Sequence, residues 1–220
     1  SHPGIIMVNQ RGERFTNEAA SYVQVVQEMY RHHTADNAHV PCHFVFDQRF
    51  RDNYLFADLP PRQPVPGRYL KNGYIRRADT LDELAAQLGV PAANLKATIA
   101  RYNDFARSGK DADFHRGDSA YDRYYGDPTV KPNPTMAPIE KPPFYGVKVV
   151  AGDLGTKGGL MIDEYARVKR ADGSLIDGLY CVGNNSASVM GATYPGPGCT
   201  IGSTMTFGYI AARHIAGRAT

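Results

Sequence analysis

Several features that would fix an environment or a partner are scarce or missing in this sequence. It has 220 residues but only three cysteines, and no two of them have a CxxC spacing. This favours reduced thiols in the cytoplasm over a disulfide framework or a zinc site. No apolar run approaches the roughly 18–20 residues of a membrane span. No dense block of Lys or Arg occurs, and the net charge is only +3, so we expect no transmembrane segment and no nucleic-acid partner.

Histidine is present but does not form a metal-binding pattern. Four of the seven histidines lie close together in sequence, at His32, His33, His39 and His43. No pair among them comes with a carboxylate in the arrangement that zinc sites use. We therefore expect no metal cofactor and interpret these histidines as packed or solvated side chains.

The composition is otherwise that of a globular protein, with 42% hydrophobic residues, and their spacing predicts both strands and helices. In the first two thirds of the chain we expect strands at residues 4–9, 14–17 and 42–47, the first two joined by a tight turn. We expect helices at residues 22–31 behind Ser21, at 81–88 between Thr80 and Gly89, and at 92–107 after Pro91. Residues 53–73 are predicted to be an ordered loop. Residues 110–143 are predicted to be a long connection that is functional or covers the substrate side, with an inert loop as the alternative.

The pattern changes near residue 150. Short strands are predicted at residues 144–151, 160–162, 167–170 and 179–183, with a hairpin turn at 171–173, and a last helix runs from about residue 200 to 216. We therefore predict an α+β protein with one domain over residues 1–150 and a second over residues 151–220.

Charged residues are absent between Asp177 and Arg213. Within this stretch, residues 183–186 follow a predicted strand, and the glycine-rich run from Tyr194 to Gly198 leads into the last helix. Such an approach to a helix N-terminus directs backbone N–H groups at an electron-rich ligand atom. A buried helix with glycines that permit close packing accounts for the pattern equally well.

Several motifs, in this order and spacing, resemble the fumarate reductase-like flavoproteins. They lie at residues 8–18, 155–160, 178–184 and 194–202. Within that superfamily, residues 194–202 and 118–128 are similar to the 3-ketosteroid Δ1-dehydrogenases. The resemblance covers nearly the whole chain and implies an FAD-dependent oxidoreductase that removes hydrogens from C1 and C2 of a 3-ketosteroid. It also implies that residues 1–150 bind substrate and that residues 151–220 end the FAD-binding domain.

The resemblance implies catalytic roles for three residues. The Tyr194 hydroxyl and the Gly198 N–H would form an oxyanion hole for the enolate that develops on the C3 oxygen, each donor contributing about 3–4 kcal/mol. Tyr22 would be the base that takes the C2 proton, at a helix start where the dipole favours a phenolate. Tyr30 is the alternative base, and ordinary packing is the alternative for each residue.

The resemblance also implies contacts with the flavin ring. Asn184 and the helix start at Thr200, Ile201 and Gly202 would face its pyrimidine edge. Gly158 and Gly159 would let backbone lie close to the ring, although a plain strand entry explains these two glycines almost as well.

The sequence departs from the family in one respect. Members carry a GxGxxG turn for the ADP part of FAD near their amino terminus, and nothing here matches it. We therefore expect this chain to be the carboxy-terminal half of the enzyme, lacking the amino-terminal FAD-binding half, and to be inactive without it.

Three other functions are compatible with parts of the pattern. A dicarboxylate reductase of the same superfamily needs buried cations that residues 154–156 and 191–198 do not supply. A dehydrogenase acting at C4–C5 of a ketosteroid is closer, but its family differs after the oxyanion tyrosine. A non-enzymatic ligand-binding domain without flavin is the third alternative.

Overall fold

The computed structural model describes residues 2–217, which form six strands and seven α-helices. The strands are β1 (Ile5–Val8), β2 (Cys42–Asp47), β3 (Arg76–Ala78), β4 (Phe144–Val149), β5 (Arg167–Lys169) and β6 (Leu175–Tyr180). The helices are α1 (Tyr22–Arg31), α2 (Gln48–Asn53), α3 (Gly67–Lys71), α4 (Leu81–Leu88), α5 (Ala92–Ser108), α6 (Ala120–Tyr124) and α7 (Cys199–Ile215). The chain divides into two compact units at the Ala151–Gly152 bond. The division itself says nothing of what each unit does, so the domain functions stay predictions.

An antiparallel sheet in the order β1-β2-β4-β3 forms the centre of the first unit. Successive side chains of a strand point to opposite faces, and β1 is buried on both of them. Ile6 and Val8 pack in a cluster with α4 and α5, whereas Ile5 lies in a second cluster with Phe46 and aromatic neighbours. Burial on both faces explains why β1 reads as an uninterrupted apolar run.

Helix boundaries in the first unit follow local capping chemistry. Thr80 and Glu83 form a reciprocal capping box at the start of α4, and Gly89 ends the helix in the left-handed conformation. Pro91 precedes α5, and Gly109 ends it in the same way as Gly89. The predicted α1, α4 and α5 are therefore confirmed, with α5 one residue longer than expected.

The second unit contains a hairpin and one long helix. Strands β5 and β6 are antiparallel, and Gly173, with φ +85°, donates its N–H to Arg170 O at 3.0 Å in the predicted turn. A 3₁₀ turn, Gly183–Asn185, connects β6 to the chain that leads into α7. Along α7, three large apolar side chains at helical spacing are more than 60% exposed, namely Ile201, Met205 and Tyr209. None of the helices within residues 2–217 combines the length and hydropathy needed to cross a bilayer.

Some predicted elements are wrong. Residues 14–17 form a single bridge, between Val8 and Arg14, rather than a strand. Residues 160–162 likewise form isolated bridges only, and β6 ends at Tyr180 instead of running over residues 179–183. The loops at 53–73 and 110–143 each contain a short helix, α3 and α6.

The position of β4 also differs from the expectation. We expected the strands after residue 144 to join a sheet that the missing amino-terminal half completes. Instead, β4 pairs with β2 and β3 in the sheet of the first unit. Its residues Tyr145 and Val147 are buried in the same cluster as Phe46, so apolar packing fixes β4 in that sheet.

Candidate active site

Tyr22 is the first residue of α1. Ser21 precedes it as the N-cap, and the Ser21 hydroxyl accepts a hydrogen bond from the Gln24 N–H at 3.4 Å. The Tyr22 side chain is 47% exposed. Tyr30, the alternative base, lies in the last turn, where the helix dipole opposes a negative charge. Of the two tyrosines, only Tyr22 lies at the positive end of the helix dipole, and its role as the base stays a prediction.

A buried charge network lies directly before Tyr22 in the chain. The Glu18 carboxylate is 2.8 Å from an Arg14 nitrogen and 3.0 Å from an Arg116 nitrogen, and it accepts the Met7 N–H at 3.1 Å. Burial by itself would raise the pKa of Glu18, but the two guanidinium groups and the hydrogen bonds lower that pKa to about 2. Glu18 therefore stays ionised and ties the chain that enters α1 to β1.

In the second unit, Asn184 and Thr200 line the same cavity. Asn184 lies in the 3₁₀ turn after β6, and Thr200 lies in the first turn of α7. Thr156 and Lys157, from the loop before β5, line this cavity as well. The structure therefore brings two of the residues expected to contact flavin together with a third segment of the chain.

The N-terminus of α7 faces outward without a side-chain cap. Gly198 is its N-cap residue, with φ 93° in the left-handed region, and no side chain bonds to the cap within the described residues. A Cβ at residue 198 would meet nothing within 4 Å, so the positive φ, rather than crowding, requires glycine here. Ile201 and Gly202 follow in the first turn and are exposed, although they do not line the cavity. An uncapped first turn leaves backbone N–H groups available to an acceptor.

Tyr194, which comes shortly before this helix, is half-buried. The Lys157 Nζ lies 5.2 Å from the centroid of the Tyr194 ring, which is within the range of a cation–π interaction. Lys157 was not among the predicted site residues, because it lies directly after residues 154–156 and outside the uncharged stretch at residues 178–212. Its position directly before Gly158, within the motif at residues 155–160, could have marked Lys157 as a candidate site residue.

The two predicted flavin-contacting glycines differ in their surroundings. A Cβ on Gly159 would lie 2.4 Å from the Ser186 carbonyl carbon and 2.6 Å from the Asn185 oxygen. The nearest atom to a Cβ on Gly158 would be the Thr156 hydroxyl oxygen, at 3.7 Å. Crowding by the Ser186 and Asn185 backbone therefore explains why residue 159 is glycine, whereas the space beside Gly158 is open. Flavin contact by either residue stays a prediction.

The second unit fits the ring system of FAD better than it fits the rest of the cofactor. The uncapped start of α7, the Asn184 amide and the Lys157 ammonium are groups that electron-rich ring atoms accept as partners. The ADP part requires a glycine-rich turn between a parallel strand and a helix. Both sheets within residues 2–217 are antiparallel. The described part of the chain also contains no group of three His, Cys, Asp or Glu side chains arranged to hold a metal ion.

The chain belongs to the FAD binding domain family, whose sequence model matches residues 1–201. The predicted resemblance to the steroid dehydrogenases of this class is confirmed. The chain is 56% identical over 221 residues to the 3-oxosteroid 1-dehydrogenase of Mycobacterium tuberculosis, covering 99% of this chain and 39% of that protein.

Two further relatives show how far the similarity extends. The 4-oxocyclohexanecarboxylate 2-dehydrogenase of Sinomonas cyclohexanicum is 46% identical, over 99% of this chain and 37% of the relative. The crystal structure of 3-ketosteroid Δ1-dehydrogenase from Sterolibacterium denitrificans, in complex with 1,4-androstadiene-3,17-dione, matches with a TM-score of 0.93 and 50% identity. That match covers 98% of this chain and 39% of the solved one. The chain therefore spans about two fifths of the length of these relatives.

Proposed function

We propose that the protein containing this chain catalyses the FAD-dependent 1,2-dehydrogenation of 3-ketosteroids. The observation that carries this proposal is the 56% identity to a 3-oxosteroid 1-dehydrogenase over 99% of the chain. The proximity of Asn184 and Thr200, two predicted flavin contacts, at the start of α7 supports it. Because the relatives are much longer, the activity and the substrate belong to the proposal.

In this reaction the chain stabilises a developing negative charge. Removal of the C2 proton leaves an enolate on the C3 oxygen, and the Tyr194 hydroxyl and the Gly198 N–H donate hydrogen bonds to it. Gly198, the N-cap residue of α7, has no side chain that would obstruct the approach of the substrate to its N–H. The Lys157 ammonium, 5.2 Å from the Tyr194 ring centroid, favours the same negative charge.

Tyr22 takes the C2 proton as a phenolate. Its place in the first turn of α1 favours that charge, since the helix dipole is positive there. FAD, when bound, supplies the acceptor for the hydride that leaves C1. Asn184, Thr200, Ile201 and Gly202 hold the ring, with Gly158 and Gly159 beside it.

Residues 1–150 act as the substrate domain and residues 151–220 as the end of the FAD-binding domain. We propose a cytoplasmic location, in which the three cysteines stay reduced; all three are free thiols.

A dicarboxylate reductase is the rival that the structure disfavours. The cavity in the second unit has one charged side chain among the residues that line it, Lys157. Two buried substrate carboxylates need several cations or strong donors, since an unpaired buried charge is costly. One lysine is too few to pair with two carboxylates. Its presence nevertheless makes the cavity charged, whereas we expected an uncharged site.

The test uses the full-length protein, purified with its flavin. We expect dye-linked oxidation of androst-4-ene-3,17-dione to the 1,4-diene, identified by mass and absorbance. The comparison is 4-oxocyclohexanecarboxylate, which presents a six-membered ring ketone, saturated, without the steroid skeleton. Preference for the small ketone, or no oxidation of the steroid, would contradict the proposal.

A further inference from the structure

Residues 118–128 resemble the steroid dehydrogenases, yet they have no part in the proposed reaction. The structure gives one of them a distinct position. Asp122, in the short helix α6, is only 4% exposed. One of its carboxylate oxygens accepts hydrogen bonds from the Asn17 side-chain amide at 3.0 Å and from the Gly117 N–H at 2.9 Å. Asp122 is thus tied to Asn17, which lies 105 residues away in the sequence.

Asn17 shapes the turn that leads into α1. Its side-chain oxygen accepts the Ala19 N–H at 2.9 Å, and its carbonyl accepts the Ala20 N–H at 3.1 Å. Ser21, the N-cap of α1, comes next, and Tyr22 follows it. The bond from Asn17 to Asp122 therefore holds the turn whose end determines where Tyr22 begins the helix.

The same loop holds the next residue as well. Arg116, which is fully buried, binds the Glu18 carboxylate at 3.0 Å. Between Arg116 and Asp122, Gly117 adopts φ +90°, and a Cβ on it would lie 2.4 Å from the Asn133 amide. Asn17 and Glu18 are therefore both held by the tightly packed segment 116–122, through Asp122 and Arg116 respectively.

We propose that Asp122 is a positioning residue for Tyr22, acting through Asn17. This inference rests on the proposed function, in which Tyr22 is the base. A base must lie within hydrogen-bond reach of the proton that it takes, and a displacement of about 1 Å can cost on the order of a hundredfold in rate. Asp122 contributes to the rate by fixing the turn and has no direct contact with the reacting atoms.

The experiment compares variants of the full-length enzyme. Asp122→Ala removes the acceptor for the Asn17 amide. We expect kcat and the exchange of the C2 proton with deuterated solvent to fall at least tenfold, with KM within about twofold of wild type, because the substrate pocket is intact. Asp113→Ala is the matched control. The Asp113 carboxylate also binds a side chain, but that of Arg101, at 2.6 Å, rather than that of Asn17. We expect this variant to exchange the C2 proton at the wild-type rate.

A swap of the pair separates positioning from general loss of stability. Asn17→Asp alone sets two carboxylates at hydrogen-bond distance, and we expect it to lose exchange. The double variant Asn17→Asp/Asp122→Asn restores one donor and one acceptor between the two side chains. Because the Gly117 N–H shares the same Asp122 oxygen and loses its acceptor, we expect a partial recovery, with a rate above that of Asn17→Asp alone. If Asp122→Ala does not fold, the single and double Asn17→Asp variants decide the question by the same comparison.

Two outcomes would overturn the inference while the proposed function stands. One is a folded Asp122→Ala enzyme with wild-type kcat and exchange. The other is a double variant that is no faster than Asn17→Asp alone. If the wild-type enzyme oxidises no 3-ketosteroid, the proposed function and this inference both fail.

Discussion

At the scale of single residues, surroundings rather than residue type separate functional candidates from ordinary side chains. Tyr22 and Tyr30 are both exposed tyrosines of α1, yet only one occupies the positive end of the helix. Gly158 and Gly159 are neighbours, yet only one is crowded by backbone. These contrasts provide matched pairs for experiments.

Tyr22→Phe in the full-length enzyme should abolish C2 proton exchange and leave steroid binding nearly intact, since only the proton acceptor is removed. Exchange measured by mass spectrometry in deuterated buffer checks this. Tyr30→Phe is the control on the same helix and should exchange normally. The assignment of the base is wrong if Tyr30→Phe loses exchange while Tyr22→Phe keeps it.

Tyr194→Phe should lower kcat by about a hundredfold without unfolding the enzyme, because it deletes one of two donors to the enolate. Steady-state kinetics and thermal unfolding together measure this. Tyr209→Phe, on the exposed face of α7, is the control and should keep full activity. Activity of Tyr194→Phe within twofold of wild type would remove Tyr194 from the mechanism.

Glu18 should make stability sensitive to acid. Its pKa of about 2 in the folded chain lies below the roughly 4.3 of an unfolded glutamate. The stabilisation is therefore fully present above about pH 4.3 and is lost as the pH falls toward 2. Urea unfolding at pH 7, 4 and 3 measures this loss.

Glu18→Gln should reduce the acid sensitivity and destabilise the chain by about 3–5 kcal/mol at pH 7, since it removes the carboxylate that pairs with the buried Arg116 guanidinium. Arg14 keeps its second carboxylate partner, Asp111, at 2.9 Å. Glu140→Gln, in an exposed pair with Arg107 at 2.7 Å, should change stability by less than about 1 kcal/mol. Equal acid sensitivity in wild type and Glu18→Gln would contradict this account.

At the scale of elements, the second unit depends on a place where two backbone segments approach each other closely. The parallel bridge between Leu160 and Ser186 brings the loop before β5 against the chain after the 3₁₀ turn, and this contact forms one wall of the cavity. Gly159 permits the approach because it has no Cβ.

Gly159→Ala should therefore destabilise the chain by about 1–3 kcal/mol, because neither Ser186 nor Asn185 backbone can move away without breaking the bridge. Gly158→Ala is the matched control: its Cβ would be 3.7 Å from the nearest atom. Neither residue has a positive φ, so alanine introduces no backbone strain at either. Equal thermal stability of the two variants would show that the bridge does not form.

At the scale of the whole molecule, the chain alone should retain no FAD and oxidise no steroid. Contacts to the flavin ring from Asn184 and the start of α7 are too few to offset the entropy of immobilising so large a ligand. The exposed apolar face of α7 should also promote self-association. Gel filtration with excess FAD, followed by absorbance of the protein peak, measures both effects.

The full-length protein under the same conditions is the control and should elute yellow. Stoichiometric flavin on the isolated chain, together with steady dye-linked turnover of androst-4-ene-3,17-dione, would contradict the prediction. It would mean that residues of this chain hold the ADP part of the cofactor without a parallel dinucleotide fold.

The sequence by itself determined the elements whose cause is local. Ser21, the pair Thr80 and Glu83, and Gly89 act on backbone groups within one helical turn, so α1 and α4 were predictable from neighbouring residues. The hairpin turn at Gly173 is local in the same sense. The motif at residues 194–198 is likewise recognisable from neighbouring residues alone, and it leads into the first turn of α7, where the candidate site lies.

Only the tertiary structure decided which distant segments meet. Nothing local distinguishes β4 as a partner of β2, places Lys157 beside Tyr194, or joins Asn17 to Asp122. Each of these contacts depends on the packing of many residues at once, since pairing and burial are properties of the assembled core rather than of any short segment.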